Sequence, residues 1–335
     1  MSWLHLGTPN TVLAGSADFL LTLCSTILGI DTNKLCDNYR LWGPSTSLCI
    51  DLTAGIISTK RHEYDVNQAA HAVTKSNSEL DLLCFIDKPS SKIFVSRPAP
   101  DAERDVPFVD FGTKHLRGLV ARAYARQSNI VRLTFYKTIR GLPWFGSLAG
   151  KMYEIHVLLW IQHSQDQTSL LCTGAKANYP ELQIPACPGN LKYFAKVAEL
   201  AKLEEPVPGH PICVVPTSET FPSFDAFIVT DDAITTLQIT ISRRHSAKET
   251  GFEGLYKNLP AKFLAKRSQR SHVFITDEED NAKKLREQNL PYIPEGTYVF
   301  SAVIPIEDLE SKVPLTETIV EELESKSKSM LYSMQ

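Results

Sequence analysis

The chain has 335 residues, 43% of them hydrophobic and 22% charged, and its formal net charge is −3. This composition is typical of a soluble globular protein with a real core, and the length allows two domains. With this net charge the chain is not basic overall, so binding to nucleic acid would need a local basic patch.

The seven cysteines are scattered, odd in number and form no CxxC pair. A zinc ribbon or a disulfide framework fits this spacing poorly, whereas reduced thiols inside a cell fit it well. The N-terminus lacks a basic region before an apolar run, and the apolar stretch 19–30 is too short to span a bilayer. We expect no membrane contact and a nuclear or cytoplasmic location, with non-classical secretion into a host cell left open.

Residues 1–90 alternate apolar and polar blocks, and residues 1–140 are expected to form a smaller α/β region. In chain order the pattern predicts a helix at 15–29, strands at 47–57, 80–86 and 92–96, a proline-containing surface loop at 96–107, and a helix at 111–139. This region ends at Arg140-Gly141.

Residues 141–310 are expected to form a second domain, followed by a peripheral tail at 311–335. The pattern predicts helices at 145–163, 190–203, 251–267, 278–288 and 317–329, strands at 168–173, 212–215, 224–229, 235–242, 272–276 and 297–304, and a proline-rich connection at 175–189. This order predicts a mixed α/β sheet flanked by helices.

The hairpin at 224–242 carries the strongest candidate site. Asp225 interrupts an apolar strand, where an unpaired charge is unfavourable unless it binds something. On the partner strand Gln238 and Thr240 share one polar face, and antiparallel pairing brings them near Asp225. Glu154, on the preceding helix, is a further carboxylate that could join them.

Other motifs are weaker. The string GSLAGKM has three residues between its glycines and a methionine after Lys151, whereas a phosphate loop has four and a Ser or Thr. Gly146 and Gly150 are therefore expected to open a helix. No GxSxG or HExxH motif is present. His245 lies with Arg243, Arg244 and Lys248 in a cluster that is either a solvated strand end or a phosphate-facing group.

A helix with Glu, a strand with Asp, and a next strand with (Asp/Glu/Gln)-x-Lys resemble the PD-(D/E)XK restriction-endonuclease-like superfamily. The strings AGKMYEIHVLL, FPSFDAFIV and LQITISRRHSAK are similar to the nuclease domain of the Crinkler and retrotransposon-hot-spot proteins. The resemblance covers about residues 145–304. It implies that residues 1–140 correspond at most to the tail of an NTPase, here without a phosphate loop.

The resemblance also implies roles for single residues. Glu154 and Asp225 would hold Mg²⁺ or Mn²⁺, with Gln238 completing or orienting the coordination shell. Thr240 stands where the superfamily has lysine, and a hydroxyl carries no positive charge. The cationic role would then pass to Lys248, Arg243, Arg244 or His245. Contacts with the phosphate backbone are expected from a locally basic segment: Lys257, Lys262, Lys266, Arg267 and Arg270.

Three functions follow as hypotheses. The first is a metal-dependent nuclease-like effector that acts on DNA, with RNA as a second substrate. The alternative is a nuclease fold without catalysis that binds nucleic acid or host nuclear proteins. A third is a scaffold whose interaction site lies in the N-terminal half.

Overall fold

A computed structural model provides the coordinates of the protein. The structure describes residues 26–75, 92–98, 107–142, 145–163, 170–174, 181–216, 223–242, 248–267, 269–289 and 293–312. The predicted strand at 80–86, the predicted helices at 15–29 (except residues 26–29) and 317–329, and most of the predicted loop at 96–107 lie outside these residues. Arg243, Arg244 and His245 also lie outside them.

The chain divides into two compact units, residues 1–124 and 125–335. This division lies N-terminal to the boundary near residue 140 that the sequence suggests. The described elements of the first unit are α1 (Thr32–Trp42), α2 (Thr46–Thr53), α3 (Thr59–Thr74), β1 (Phe94–Pro98), β2 (Pro107–Phe111) and α4 (Lys114–Ala125), which ends at the division.

The first unit is built around short helices and a two-stranded antiparallel sheet. The side chain of Asp31 caps α1 by accepting the Lys34 N–H at 3.1 Å. Leu35 of α1 packs against Cys49 of α2 in a small buried cluster. Strands β1 and β2 pair with Phe94 opposite Phe111, which confirms the strand predicted near 92–96.

Two predictions for this region are wrong. Residues 47–57 were expected to form a strand, but α2 occupies their first half because Ser45 begins a helix whose Cys49 is buried against α1. The helix predicted at 111–139 is divided: Phe111 belongs to β2, and a new helix starts after Ser128, whose extended backbone marks an N-cap.

The second unit contains the large sheet. Its helices are α5 (Asn129–Gly141), α6 (Gly146–His163), α7 (Glu249–Asn258), α8 (Ala261–Lys266), α9 (Glu279–Asn289) and α10 (Ile306–Lys312). Its strands are β3 (Leu170–Gly174), β4 (Glu181–Ile184), β5 (Leu191–Phe194), β6 (Ile212–Pro216), β7 (Ala226–Val229), β8 (Ala233–Ile239), β9 (Gln269–Thr276) and β10 (Thr297–Val303), with a 3₁₀ segment at Val197–Lys202.

The eight strands form one mixed sheet in the order β4-β3-β10-β9-β8-β7-β6-β5. Strands β8, β9 and β10 run parallel, with Gln238 opposite Phe274 in the β8–β9 register. Strand β7 runs antiparallel to β8, with Ala226 opposite Leu237. A mixed α/β sheet flanked by helices was predicted from the sequence, and this part of the prediction is confirmed.

Helices cover the sheet and bury its apolar side chains. Phe227 and Ile234 of the hairpin pack against Leu255 of α7 and Phe263 of α8 in one buried core cluster. A second cluster joins Leu285 of α9 to strands β9 and β10. Helix α6 packs against β8, α5 and α10, so the hairpin and α6 lie together.

Three further predictions for this unit are wrong in detail. The amphipathic pattern at 190–203 forms β5 and the 3₁₀ segment instead of a helix, because Leu191 pairs in parallel with Cys213 of β6. The connection at 175–189 contains strand β4. The helix predicted at 251–267 is two helices, divided at Leu259-Pro260, since proline cannot continue a helix from before it.

Among the described residues, no helix combines the length and the apolar character that crossing a membrane requires.

Candidate functional site

Glu154 lies on α6, an 18-residue helix that is mostly apolar. Met152, Tyr153 and Val157 are buried, and the Tyr153 hydroxyl donates to the carbonyl of Ile304 at 2.9 Å. These contacts fix the rotation of the helix about its axis. The side chain of Glu154 is held at the margin of the core, 25% exposed.

Asp225 lies directly before β7 and is bound to β8 through both its backbone and its side chain. Its N–H donates to the Leu237 carbonyl at 2.8 Å, and its Oδ2 accepts the Ile239 N–H at 2.7 Å. Two residues earlier Ser223 has a φ of 82°, a conformation that non-glycine residues rarely adopt. The backbone and side chain of Asp225 are therefore fixed against the end of β8.

Glu154 and Asp225 lie within electrostatic reach of each other. Burial of the carboxyl group and the charge of Glu154 raise the pKa of Asp225 to about 8, against the opposing effects of the Ile239 N–H and the charge of Lys151. A cation would stabilise the ionised form of a buried carboxyl group that is disfavoured in this way. The sequence predicts that these two residues converge on one cation, and this stays a prediction.

Lys151 also belongs to this cluster, although the sequence did not mark it as a site residue. Its Nζ lies 3.5 Å from Oε2 of Glu154, one turn along the same helix. The sequence signal that could have identified Lys151 was its position three residues before Glu154, an opposite charge on the same predicted helix. The Gly150-Lys151 string had instead suggested a phosphate loop, and here Gly150 lies inside α6, near Ile241.

Gln238 and Thr240 lie at the end of β8, on either side of Ile239. Gln238 is buried, with 1% of its surface exposed. Thr240 is also buried, and its Oγ1 accepts the Ser242 N–H at 3.1 Å. The hydroxyl of Thr240 therefore stabilises the chain where it leaves the strand.

Lys248 lies at the N-cap position of α7, and its side chain is exposed. Its N–H donates to Oγ of Ser223 at 2.7 Å, and Oγ of Ser223 also donates to the Lys248 carbonyl. These bonds join the start of α7 to the segment that carries Asp225. The other predicted members of this cluster lie outside the described residues.

The predicted basic segment is distributed over α7, α8 and β9. Lys257 and Lys262 are exposed, Lys266 forms an ion pair with Glu205 at 3.0 Å, and Arg270 stacks over Tyr256 at 4.4 Å. Arg267 is 2% exposed, and its guanidinium donates to the carbonyls of Thr230 and Phe263. Arg267 therefore stabilises the interior of the unit, whereas the three lysines present their charges outside.

A second polar cluster fixes the ends of β8 and β9. Arg140 donates from Nε to Oδ2 of Asp277 at 2.8 Å, and from its Nη2 to Glu278 at 3.3 Å and to the carbonyl of Ile241 at 3.4 Å. The Tyr136 hydroxyl donates to the same Asp277 oxygen at 3.1 Å. This cluster positions the strand ends that lie next to Asp225.

The described residues contain no group of three or more His, Cys, Asp or Glu side chains that could hold a metal ion. The candidate metal ligands are the carboxylates of Glu154 and Asp225. Gln238, the third predicted ligand, is the neighbour of Ile239, whose N–H binds Oδ2 of Asp225. Mg²⁺ often takes only one or two protein carboxylates and keeps several waters. A divalent cation of this kind fits the pair Glu154 and Asp225.

Comparison with protein-family models, with curated proteins and with solved structures found no match.

Proposed function

We propose that the second unit is a metal-dependent nuclease-like domain of the PD-(D/E)XK type, which hydrolyses phosphodiester bonds in DNA. The observation that supports this proposal is that burial and the charge of Glu154, which lies on a separate element, raise the pKa of Asp225. The order of elements also supports the proposal. Helix α6 with Glu154 precedes the β7–β8 hairpin with Asp225, and both belong to a unit with a mixed sheet.

In this proposal Glu154 and Asp225 are the ligands of one divalent cation, Mg²⁺ or Mn²⁺. When bound, the cation would supply Lewis-acid activation of the phosphate and a lowered pKa for an attacking water. The Ile239 N–H, which donates to Oδ2 of Asp225, fixes that carboxylate and leaves Oδ1 for a ligand. Gln238 would orient the shell from the same strand.

Substrate would be held by charge outside the pair of carboxylates. Lys257 and Lys262 are exposed on α7 and α8, and Arg270 lies at the start of β9. Such side chains bind phosphates without reading sequence, and their contribution decreases as salt increases. Lys248, Arg243, Arg244 and His245 complete the set of basic groups on the segment after β8.

A second function is favoured by one observation. Thr240 occupies the superfamily's lysine position, and its hydroxyl is bonded within the chain to Ser242. A nuclease fold that has lost catalysis and binds nucleic acid or a host protein would have this feature. The two functions differ in whether the protein cleaves its ligand.

The test is cleavage of supercoiled plasmid and of single-stranded DNA and RNA with Mg²⁺ or Mn²⁺. We expect wild-type protein to cleave and Asp225→Ala to lose activity by at least about 100-fold, because the metal would lose a ligand. Asp232→Ala is the matched control: Asp232 is an exposed carboxylate at the other end of the same hairpin, and its loss should leave cleavage unchanged.

Cleavage that survives in Asp225→Ala would contradict the proposal. Wild-type protein that binds DNA in a salt-dependent way but cleaves none of these substrates would favour the binding function instead.

A further inference from the structure

The proposed site lacks a cation at the position where its resemblance places one. Thr240 has no charge, and its hydroxyl accepts a backbone N–H. Hydrolysis of a phosphodiester accumulates negative charge on the phosphate oxygens in the transition state, and positive groups directed at those oxygens lower the barrier. A one-metal site therefore needs a second source of positive charge.

Helix α6 provides a candidate. In its sequence, GSLAGKMYEIHVLLWIQH, Lys151 and Glu154 are the only lysine, arginine, aspartate or glutamate residues. Both side chains are largely covered, with 29% and 25% exposed, and their charged atoms lie 3.5 Å apart. A largely covered ion pair on a helix with no other lysine, arginine, aspartate or glutamate differs from the solvated pairs of a protein surface.

The charge of Lys151 lies beside one of the proposed metal ligands. Its Nζ is 3.5 Å from Oε2 of Glu154, because residues three apart on a helix are neighbours. The ammonium is thus next to a group that would hold the metal.

Arg140, another described cation near the strand end, is occupied by Asp277 and Glu278. Lys248, at the start of α7, has an exposed side chain, whereas Lys151 is paired with a proposed metal ligand. The Lys151 ammonium has three N–H donors. Its contact with Glu154, at 3.5 Å, is longer than the about 2.7–2.9 Å of a tight charge-assisted hydrogen bond. The ammonium can therefore donate to a second acceptor without a large movement.

We propose that Lys151 is the catalytic cation of this site and donates to a non-bridging oxygen of the scissile phosphate, in place of the lysine that residue 240 does not supply. The proposal rests on the nuclease function above. Lys151 undergoes no covalent change in this role. It contributes a positive charge and a hydrogen bond that strengthen as the phosphate becomes more negative.

The experiment uses the full chain and compares wild type with Lys151→Met, Lys151→Arg and Lys137→Met. Lys137 is the matched control because its Nζ also pairs with a glutamate, Glu307 at 2.8 Å, but on the exposed part of α5. Two quantities are measured for each protein: the plasmid cleavage rate at saturating Mn²⁺, and the shift in melting temperature caused by Mn²⁺ alone.

We expect Lys151→Met to reduce the cleavage rate by about 100-fold or more, the usual effect of losing one group that stabilises transition-state charge. Its Mn²⁺-induced shift in melting temperature should remain, since both carboxylates are still present. Lys151→Arg should recover part of the rate, and Lys137→Met should match wild type in both measurements. If Lys151→Met does not fold, Lys151→Gln keeps a donor to Glu154 without the charge and replaces it.

The outcomes separate the two proposals. If wild type cleaves, Asp225→Ala does not and Lys151→Met cleaves like wild type, the role of Lys151 is wrong and the nuclease function stands. If the Mn²⁺-induced shift disappears together with activity in Lys151→Met, Lys151 is required for the metal site instead of the phosphate, and the proposal is also wrong. If wild type and Asp225→Ala do not differ in cleavage, the nuclease function fails and the role of Lys151 fails with it.

Discussion

Asp225 is the residue on which the candidate site depends most. Its backbone N–H and its Oδ2 are both bonded to β8, so the carboxyl group cannot move away from Glu154 without breaking the start of the hairpin. Without a bound cation, burial of the carboxyl group and the charge of Glu154 together keep a proton on Asp225 in the folded protein. The charge of Glu154 would also favour a divalent ion over solvent.

This arrangement predicts how stability depends on pH. In the unfolded chain an aspartate has a pKa of about 3.9, whereas in the metal-free folded protein the pKa of Asp225 is raised to about 8. The folded state binds this proton more tightly, so the stabilisation is complete below pH about 4 and is lost as the pH rises to about 8. The melting temperature of wild type in a chelator should fall between pH 5 and pH 9.

Asp225→Asn removes this titration and should be more stable than wild type at pH 9, by about 5 °C or more. Glu154→Gln should lower the pKa of Asp225 and move the loss of stability to lower pH. Asp232→Asn, at the exposed end of the hairpin, is the control and should follow wild type. Parallel melting curves for wild type and Asp225→Asn over this pH range would contradict the raised pKa of Asp225, and equal pH dependence in wild type and Glu154→Gln would contradict its coupling to Glu154.

The carboxylates could be identified from the sequence, whereas their lysine partner was missed. Asp225 was conspicuous because it interrupts an apolar strand, and Glu154 because it lies at a fixed place in the order of elements. The superfamily motif places its lysine two residues after Gln238, at the position of Thr240. The motif therefore gave no reason to select Lys151, on another element, as the catalytic cation. The structure places it beside Glu154 because residues three apart on a helix are neighbours.

At the level of elements, the ends of β8 and β9 are fixed by α5 as much as by the sheet. Arg140 joins Asp277, Glu278 and the carbonyl of Ile241, and Asn281 of α9 donates to the same carbonyl at 3.4 Å. The segment after β8 therefore leaves the sheet from a position held by two helices. Long-range polar clusters of this kind have no local pattern in the sequence.

Arg140→Met should reduce the free energy of unfolding by about 1–3 kcal/mol, because it leaves the largely buried carboxylate of Asp277 without its cation. Urea denaturation measures this change. Lys137→Met, on the same helix, removes an exposed ion pair with Glu307 and should change the free energy by less than about 0.5 kcal/mol. Equal effects of the two substitutions would show that the Arg140 cluster does not hold the strand ends.

Helices and strands with a clear hydrophobic period were predicted well. Elements whose structure depends on pairing with residues distant in the sequence were not. Helix α6 and strands β7, β8, β9 and β10 follow their local patterns closely. Residues 190–203 have a helical pattern, yet Leu191 pairs with Cys213 of β6, and Oε2 of Glu199, in the 3₁₀ segment, accepts the N–H of Ala195 just before that segment. A strand on the edge of the sheet gains its hydrogen bonds from a partner some twenty residues away, which a local pattern does not contain.

The whole molecule consists of two compact units, each with its own buried cluster. The candidate site lies entirely within the second unit, on α6 and the β7–β8 hairpin. With 38 acidic and 35 basic residues, the chain offers no general attraction for nucleic acid. Any affinity must come from a local set of basic groups and should decrease steeply with salt.

The most direct test of a shared site is the stabilisation by Mn²⁺ of wild type, Glu154→Gln and Asp225→Asn at pH 8, each measured as the melting temperature with and without the ion. If Glu154 and Asp225 bind one cation, an ion concentration of about 100 times its dissociation constant should raise the wild-type value by about 5–10 °C. The rise should disappear in both variants. A rise of the same size in all three proteins, or none in wild type, would contradict a metal site at this pair of carboxylates.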